Sequence, residues 1–142
     1  MNRWLIDAGA FVAYLDPKDL HHVLVSASLE QSRPAFWTTM PIITEAMHLL
    51  ARVPDGPAEL LEFIQEAQVA VEPCSTFQDM HRIVVLMEKY HDIPMDFADG
   101  SLVCLADDLN IRDILTTDER GFRVFRIHGR QSFHLVLDDF PG

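Results

Sequence analysis

The sequence predicts an α/β fold, an α/β/α sandwich around a mainly parallel sheet of about five strands. Three observations carry this. Short apolar runs alternate along the chain with longer segments of helical periodicity, the pattern of a parallel sheet covered on both faces. No repeat, low-complexity tract or linker interrupts that alternation. With 142 residues, 49% of them hydrophobic, the chain is long enough to bury one core, so a single domain is expected over residues 1–142.

The elements follow in order. "RWLID" is an apolar run ending in Asp7, and the small residues Ala8, Gly9 and Ala10 then open a helix. A helical segment runs from about Asp19 to Gln31. "AFWTTM" reads as a second strand, with Pro41 opening the helix "IITEAMHLLAR". "VPDGP" is a turn, and "AELLEFIQEAQ" is a helix with Leu60, Leu61 and Ile64 on one side. "VAVEP" is a third strand, and "TFQDMHRIVVLMEKYHD" is a helix with Phe77, Met80, Val84 and Met87 at helical spacing. Beyond Pro94, "MDFADGSLVCLADDL" is an amphipathic helix with Asp96 and Asp99 at its start. "RDILTTDERGF" is a fourth strand running into a polar turn, and "FRVFRI" is expected to be the fifth strand.

Charge narrows the function. The formal net charge of -11 argues for a cytoplasmic protein and against one that grips a phosphate backbone directly. Carboxylates gathered around cations would reverse that local sign. Cys74 and Cys104 lie in apolar surroundings without a CxxC partner, as small buried hydrophobes in a reducing compartment do. Asp7 interrupts the apolar N-terminal run and speaks against a signal peptide, and no stretch approaches the roughly 18 apolar residues of a membrane span.

Ligands of open α/β sheets sit beyond the carboxyl ends of the strands. Asp7 ends the first strand, Asp118 follows the fourth, and Glu45 lies early in the helix after the second. Asp96 and Asp99 head a helix that reaches this edge only if the preceding helix and Pro94 return the chain there. Singly, each Asp has an ordinary role as a helix or turn cap. Glu45 is harder to dismiss because its neighbours in "PIITEAMHLL" are mostly apolar. A protein keeps clustered carboxylates, which raise one another's pKa, chiefly to hold a hard cation such as magnesium or manganese.

The order "LIDAGAFVAYLD", "ITEAMHLL", "MDFADGSLVCLAD" and "ILTTDERGFRVFR" resembles the PIN-domain ribonucleases, in particular the VapC-type toxins of prokaryotic toxin–antitoxin pairs. The resemblance spans Asp7 to Arg126 and implies the same α/β/α sandwich. It places the catalytic acids at Asp7, Glu45, Asp99 and Asp118, with Asp96 as an accessory metal ligand. It further implies Mg²⁺ or Mn²⁺ as cofactor, RNA as substrate, a VapB-like antitoxin as partner and a homodimer. One departure is Ala8, where the family usually has a hydroxyl residue after the first Asp.

Five of the eleven Lys and Arg residues lie between Arg112 and Arg130. Arg120, Arg123 and Arg126 among them are candidates for substrate binding, or equally a solvated strand face. The seven histidines show no metal-binding spacing. The endoribonuclease competes with a catalytically impaired PIN-fold binding module, for which Ala8 speaks, and with a PIN nuclease of general RNA processing. An aspartyl-nucleophile phosphatase ranks last, because Gly9 stands where a D-x-D pair needs its second acid.

Overall fold

The computed structural model describes residues 2–140. β1 (Arg3–Ile6) is buried from Trp4 onward, because it runs through the middle of the sheet. It pairs in parallel with β2 (Ala35–Thr39) on one side and β4 (Asp113–Leu115) on the other. β3 (Ala70–Glu72) extends the sheet beyond β2, and β7 (His134–Leu135) extends it beyond β4. The order is β3-β2-β1-β4-β7, and every pairing is parallel. The expected five-stranded parallel sheet is therefore present.

Its fifth strand is not the expected one. "FRVFRI" holds only β5 (Arg126–Ile127), which pairs with β6 (Gln131–Ser132) in a separate antiparallel hairpin. The preceding residues form the short helix α7 (Glu119–Phe122), capped by Asp118. Phe122 and Phe125 face the core and meet edge-on at 5.1 Å between ring centroids. The alternation read as a strand thus comes from a helical turn followed by a bend.

The sheet is flanked by α1 (Ala8–Leu15), α2 (His22–Gln31), α3 (Met40–Leu50), α4 (Gly56–Glu66), α5 (Phe77–Lys89) and α6 (Phe97–Leu109). α6 is buried from Ala98 to Ala106 apart from the half-buried Asp99, which accounts for its small residues Gly100, Ser101, Cys104 and Ala106. Asn110 stops it in the left-handed conformation, with its N–H bonded to the Ala106 carbonyl. On α4, Leu60 is buried and Ile64 half-buried, but Leu61 is exposed. On α5, Ile83 is the buried residue, and Phe77, Met80 and Val84 stand on the exposed side. Cys74 and Cys104 are buried together with Ile83, and burial pushes their thiols up to about 12 and about 11, so both are unreactive. Among the described residues no helix is long and apolar enough to cross a membrane.

Register positions the functional edge. Ile6 stands opposite Leu115, so the next residues, Asp7 and Thr116, leave the sheet side by side. The Asp7 N–H continues the ladder by donating to the Leu115 carbonyl at 3.0 Å. α6 starts at the same edge, because Ser101 in its second turn lies 2.7 Å, hydroxyl to hydroxyl, from Thr39 at the end of β2.

Candidate active site

Asp7 is buried at the entrance to α1. One carboxylate oxygen accepts from the Ala8 N–H at 2.8 Å, and the other accepts from the Thr116 hydroxyl at 2.8 Å. Burial pushes its pKa up to about 6, and the charges of Asp118 and Asp96 add to that rise. The bonds from Thr116 and Ala8 oppose it, since they favour the charged form. Ala8 brings no hydroxyl to this acid, but Thr116, the residue after the neighbouring strand β4, does. Gly9 is required by the same close approach, because a Cβ there would run into the Thr117 hydroxyl.

Thr116 serves two acids. Its hydroxyl hydrogen goes to Asp7, and its oxygen accepts from the Asp118 N–H at 2.9 Å. Asp118 in turn caps α7 by accepting from the Gly121 N–H at 3.1 Å. A side chain at Gly121 would press on that carboxylate at 2.7 Å, so the cap needs glycine there.

Glu45 lies one turn into α3, a helix fixed by Thr39 at its start and Pro41 in its first turn. Half-buried, it is pushed up to about 7 by burial and by the charges of Asp96, Asp7 and Asp118. A hydroxyl pair connects this helix to α6. Ser101 donates to the Ala98 carbonyl at 2.6 Å, so it accepts the hydrogen of Thr39, whose oxygen is left to accept from the Ile42 N–H.

Asp96 and Asp99 form a reciprocal capping box at the head of α6. Asp96 accepts from the Asp99 N–H at 2.7 Å, and Asp99 accepts from the Asp96 N–H at 3.2 Å. One Asp99 oxygen is therefore engaged in capping, and the carboxyl also lies within hydrogen-bonding reach of the Asp96 side chain. Burial raises Asp99 to about 8, with the charges of Asp7 and Asp96 adding to it. The five acids singled out in the sequence thus lie near enough at one edge to act on one another's charge, coming from the end of β1, α3, the head of α6 and the turn after β4.

Among the described residues no group of three or more Asp, Glu, His or Cys side chains stands in an arrangement that would hold a metal ion as it is. The donor set still suits a hard cation that keeps part of its water, since every donor is a carboxylate oxygen. The raised acids carry the same message, because the charges that act on Asp7 and Glu45 in this cluster are all negative.

The three arginines separate. Arg123 forks onto Asp138 with bonds of 3.0 and 2.8 Å and also reaches Glu119 at 2.8 Å, so its charge is already matched. Arg126 donates to the carbonyls of Arg123, Val124 and Phe125 at 2.8, 2.9 and 3.1 Å, closing the turn after α7. Arg120 is exposed on α7, two residues from Asp118, and makes no ion pair among the described residues. The residues that sequence reasoning missed are Thr116, Thr39 and Ser101. Only Thr116 left a signal, as a hydroxyl two residues before Asp118 in "TTD".

A parallel five-stranded sheet with four acidic blocks at its carboxyl edge is the arrangement that the resemblance to PIN-domain proteins implies. No protein-family model matches the chain. The chain is 29% identical over 133 residues to a Mycobacterium tuberculosis (strain ATCC 25618 / H37Rv) protein named Ribonuclease VapC26, covering 93% of this chain and 98% of that one. Its fold is that of the crystal structure of M. tuberculosis VapC20, described as a sarcin-ricin loop cleaving toxin. That likeness has a TM-score of 0.73 at 15% identity and covers 81% of this chain and 89% of the other. The resemblance to VapC-type PIN-domain proteins is borne out, in sequence along nearly the whole chain and in fold.

The first outcome concerns the metal-free protein. Unfolded, these carboxyls titrate near 4, whereas folded Asp7, Glu45 and Asp99 keep their protons to about 6, 7 and 8. Between pH 4 and 8 the folded state binds more protons, so stability falls as pH rises. In EDTA the melting temperature should drop by about 5–10 °C from pH 5 to pH 8, and Asp7→Asn should shrink the drop. A melting temperature that climbs over that interval would contradict the assignment. Thr116→Val leaves Asp7 with the Ala8 N–H alone and the Asp118 N–H without its acceptor. It should weaken Mn²⁺ binding by about 10–100-fold in calorimetry, whereas Thr116→Ser should restore it.

Proposed function

We propose that the protein is a metal-dependent endoribonuclease that hydrolyses RNA phosphodiester bonds, the toxin of a VapBC-type pair. The observation that carries this reading is the meeting of Asp7, Glu45, Asp96, Asp99 and Asp118 at one sheet edge, where three of them are raised by burial and by one another. The likeness to a ribonuclease over nearly the full length supports it. So does Thr116, which supplies the hydroxyl missing at Ala8 and thereby weakens the case for an impaired binding module.

Asp7 and Asp99 would hold the cation most directly, with Glu45, Asp96 and Asp118 completing its surroundings directly or through water. Mg²⁺ or Mn²⁺ bound there would supply positive charge to the scissile phosphate and lower the pKa of water beside it. Asp7 is held rigid by Thr116 and Ala8, so it enters this role without reorganising. Glu45, which has no hydrogen-bond partner among the described residues, would take the proton of the attacking water on its carboxylate. Asp96 and Asp99 fix the head of α6, so their caps also aim their carboxylates. Arg120 would hold a phosphate outside the reacting centre, while Arg123 and Arg126 support α7 beneath it.

The same reading gives the protein a VapB-like antitoxin partner and a cytoplasmic location. The exposed apolar side of α5, with Phe77, Met80, Val84 and Val85, offers a face on which a second copy would pair.

Asp99→Asn should abolish cleavage of a mixed RNA pool in Mn²⁺ while circular dichroism shows an intact fold. Asp96→Ala should chiefly lower the melting temperature, through loss of a cap worth about 0.5–2 kcal/mol. Full activity in folded Asp99→Asn protein would sink the assignment. Arg120→Gln should flatten the salt dependence of RNA binding by about one unit of log–log slope. Arg123→Gln should instead destabilise the fold, and equal effects of the two on the slope would contradict this division of labour.

A further inference from the structure

We propose that the open groove along α3, beside the acid cluster, binds the unstacked base of the nucleotide next to the scissile phosphate of single-stranded RNA. The inference rests on the nuclease reading and assigns a subsite to it. The groove has a volume of about 750 Å³, and two of the site acids, Glu45 and Asp96, form part of its wall. A strand whose phosphate lies at the acids therefore passes its neighbouring residue into this groove.

The lining selects a base over a phosphate. α3 contributes Pro41, Thr44, Glu45 and His48, at the i, i+3, i+4, i+7 spacing of one helical face. Pro73 and Phe97 belong to the same lining, as does the half-exposed Met40. Among the described residues that line it there is no Lys or Arg, while Glu45 and Asp96 are acidic, so the lining disfavours an anionic group. A neutral, flat heterocycle meets what the groove offers: apolar and aromatic surface for its faces, and the polar atoms of His48 and Thr44 for its edge. The Thr44 hydroxyl donates to the Met40 carbonyl at 2.9 Å, so its oxygen is left as an acceptor. Phe97 also packs against the buried cluster of Cys74, Ile83 and Cys104, which holds its ring as a preformed platform. A basic peptide would be drawn to the carboxylates themselves and would leave this apolar length of the groove without a matching partner.

The test cleaves a random-sequence RNA pool in Mn²⁺ and sequences the new ends. Binding is read separately by fluorescence anisotropy in Ca²⁺, with an oligonucleotide built from the preferred cut site. The parent should show a base preference at one position flanking the cut. Phe97→Ala should erase that preference and weaken binding about tenfold or more, and Phe97→Tyr should keep both. An abasic nucleotide at that position should cost the parent the same factor, with no further loss in Phe97→Ala. His48→Ala, on an exposed position, should change which base is preferred without lowering the melting temperature. A parent that neither binds nor cuts RNA overturns the nuclease reading itself. Cutting with preference and affinity unchanged in both variants overturns the subsite alone. Unchanged RNA behaviour with loss of a dimer in sedimentation assigns the groove to a second copy and likewise overturns it.

Discussion

The register between β1 and β4 is the constraint on which the site depends. Because Ile6 stands opposite Leu115, Asp7 and Thr116 emerge together, and one hydroxyl can bond the carboxylate of the first acid and the backbone of the last. A slip of one residue would turn Thr116 to the other face and leave a buried carboxylate with only the Ala8 N–H to satisfy it. The central strands hold that register through side chains that exclude water: Leu5, Ile6, Ile114 and Leu115 are fully buried.

The second junction is made of hydroxyls. Thr39 begins α3 and Ser101 lies in the second turn of α6, and their single chain of donors and acceptors joins the helix that carries Glu45 to the helix that carries Asp99. Both groups are buried, so breaking the chain would leave a polar atom without water or partner. Acids that repel one another are thus held in place by groups that are not themselves charged. The fold bears the repulsion at this edge as a local loss of stability, which is common where function requires like charges together.

Several arginines are engaged within the molecule. Arg123 pairs Asp138 and Glu119, while Arg112 bonds the Ser132 carbonyl at 3.0 Å and Arg82 forks onto Asp108 at 3.2 and 3.0 Å. An arginine-rich stretch in an acidic protein is therefore partly the internal counter-ion of its own carboxylates. Arg120 differs because, exposed on α7, its side chain has neither an ion pair nor a hydrogen bond among the described residues.

The layered α/β architecture is legible in the residue order, because hydrophobic periodicity switches regularly between strand and helix. So are the four acidic blocks, since Asp7 ends an apolar run, and Asp96 with Asp99 shows the spacing of a capping box. Tertiary structure decided what depends on contacts distant in the chain. β7 is two residues long, too short to carry a pattern, and it is a strand only because β4 lies beside it. "FRVFRI" has the alternation of a strand, yet Asp118, Gly121 and the Arg126 side chain wind this region into a capped turn. The exposed side of α5 is likewise decided by packing on α6, since Ile83 and Phe77 are equally apolar in sequence. Thr116 reaches Asp7 across 109 residues of chain, so the hydroxyl visible in "TTD" carries no local sign that Asp7 is its partner. Local residue pattern sets which segments are strands, helices and caps, and only the folded sheet sets which acids meet and which hydroxyl holds them.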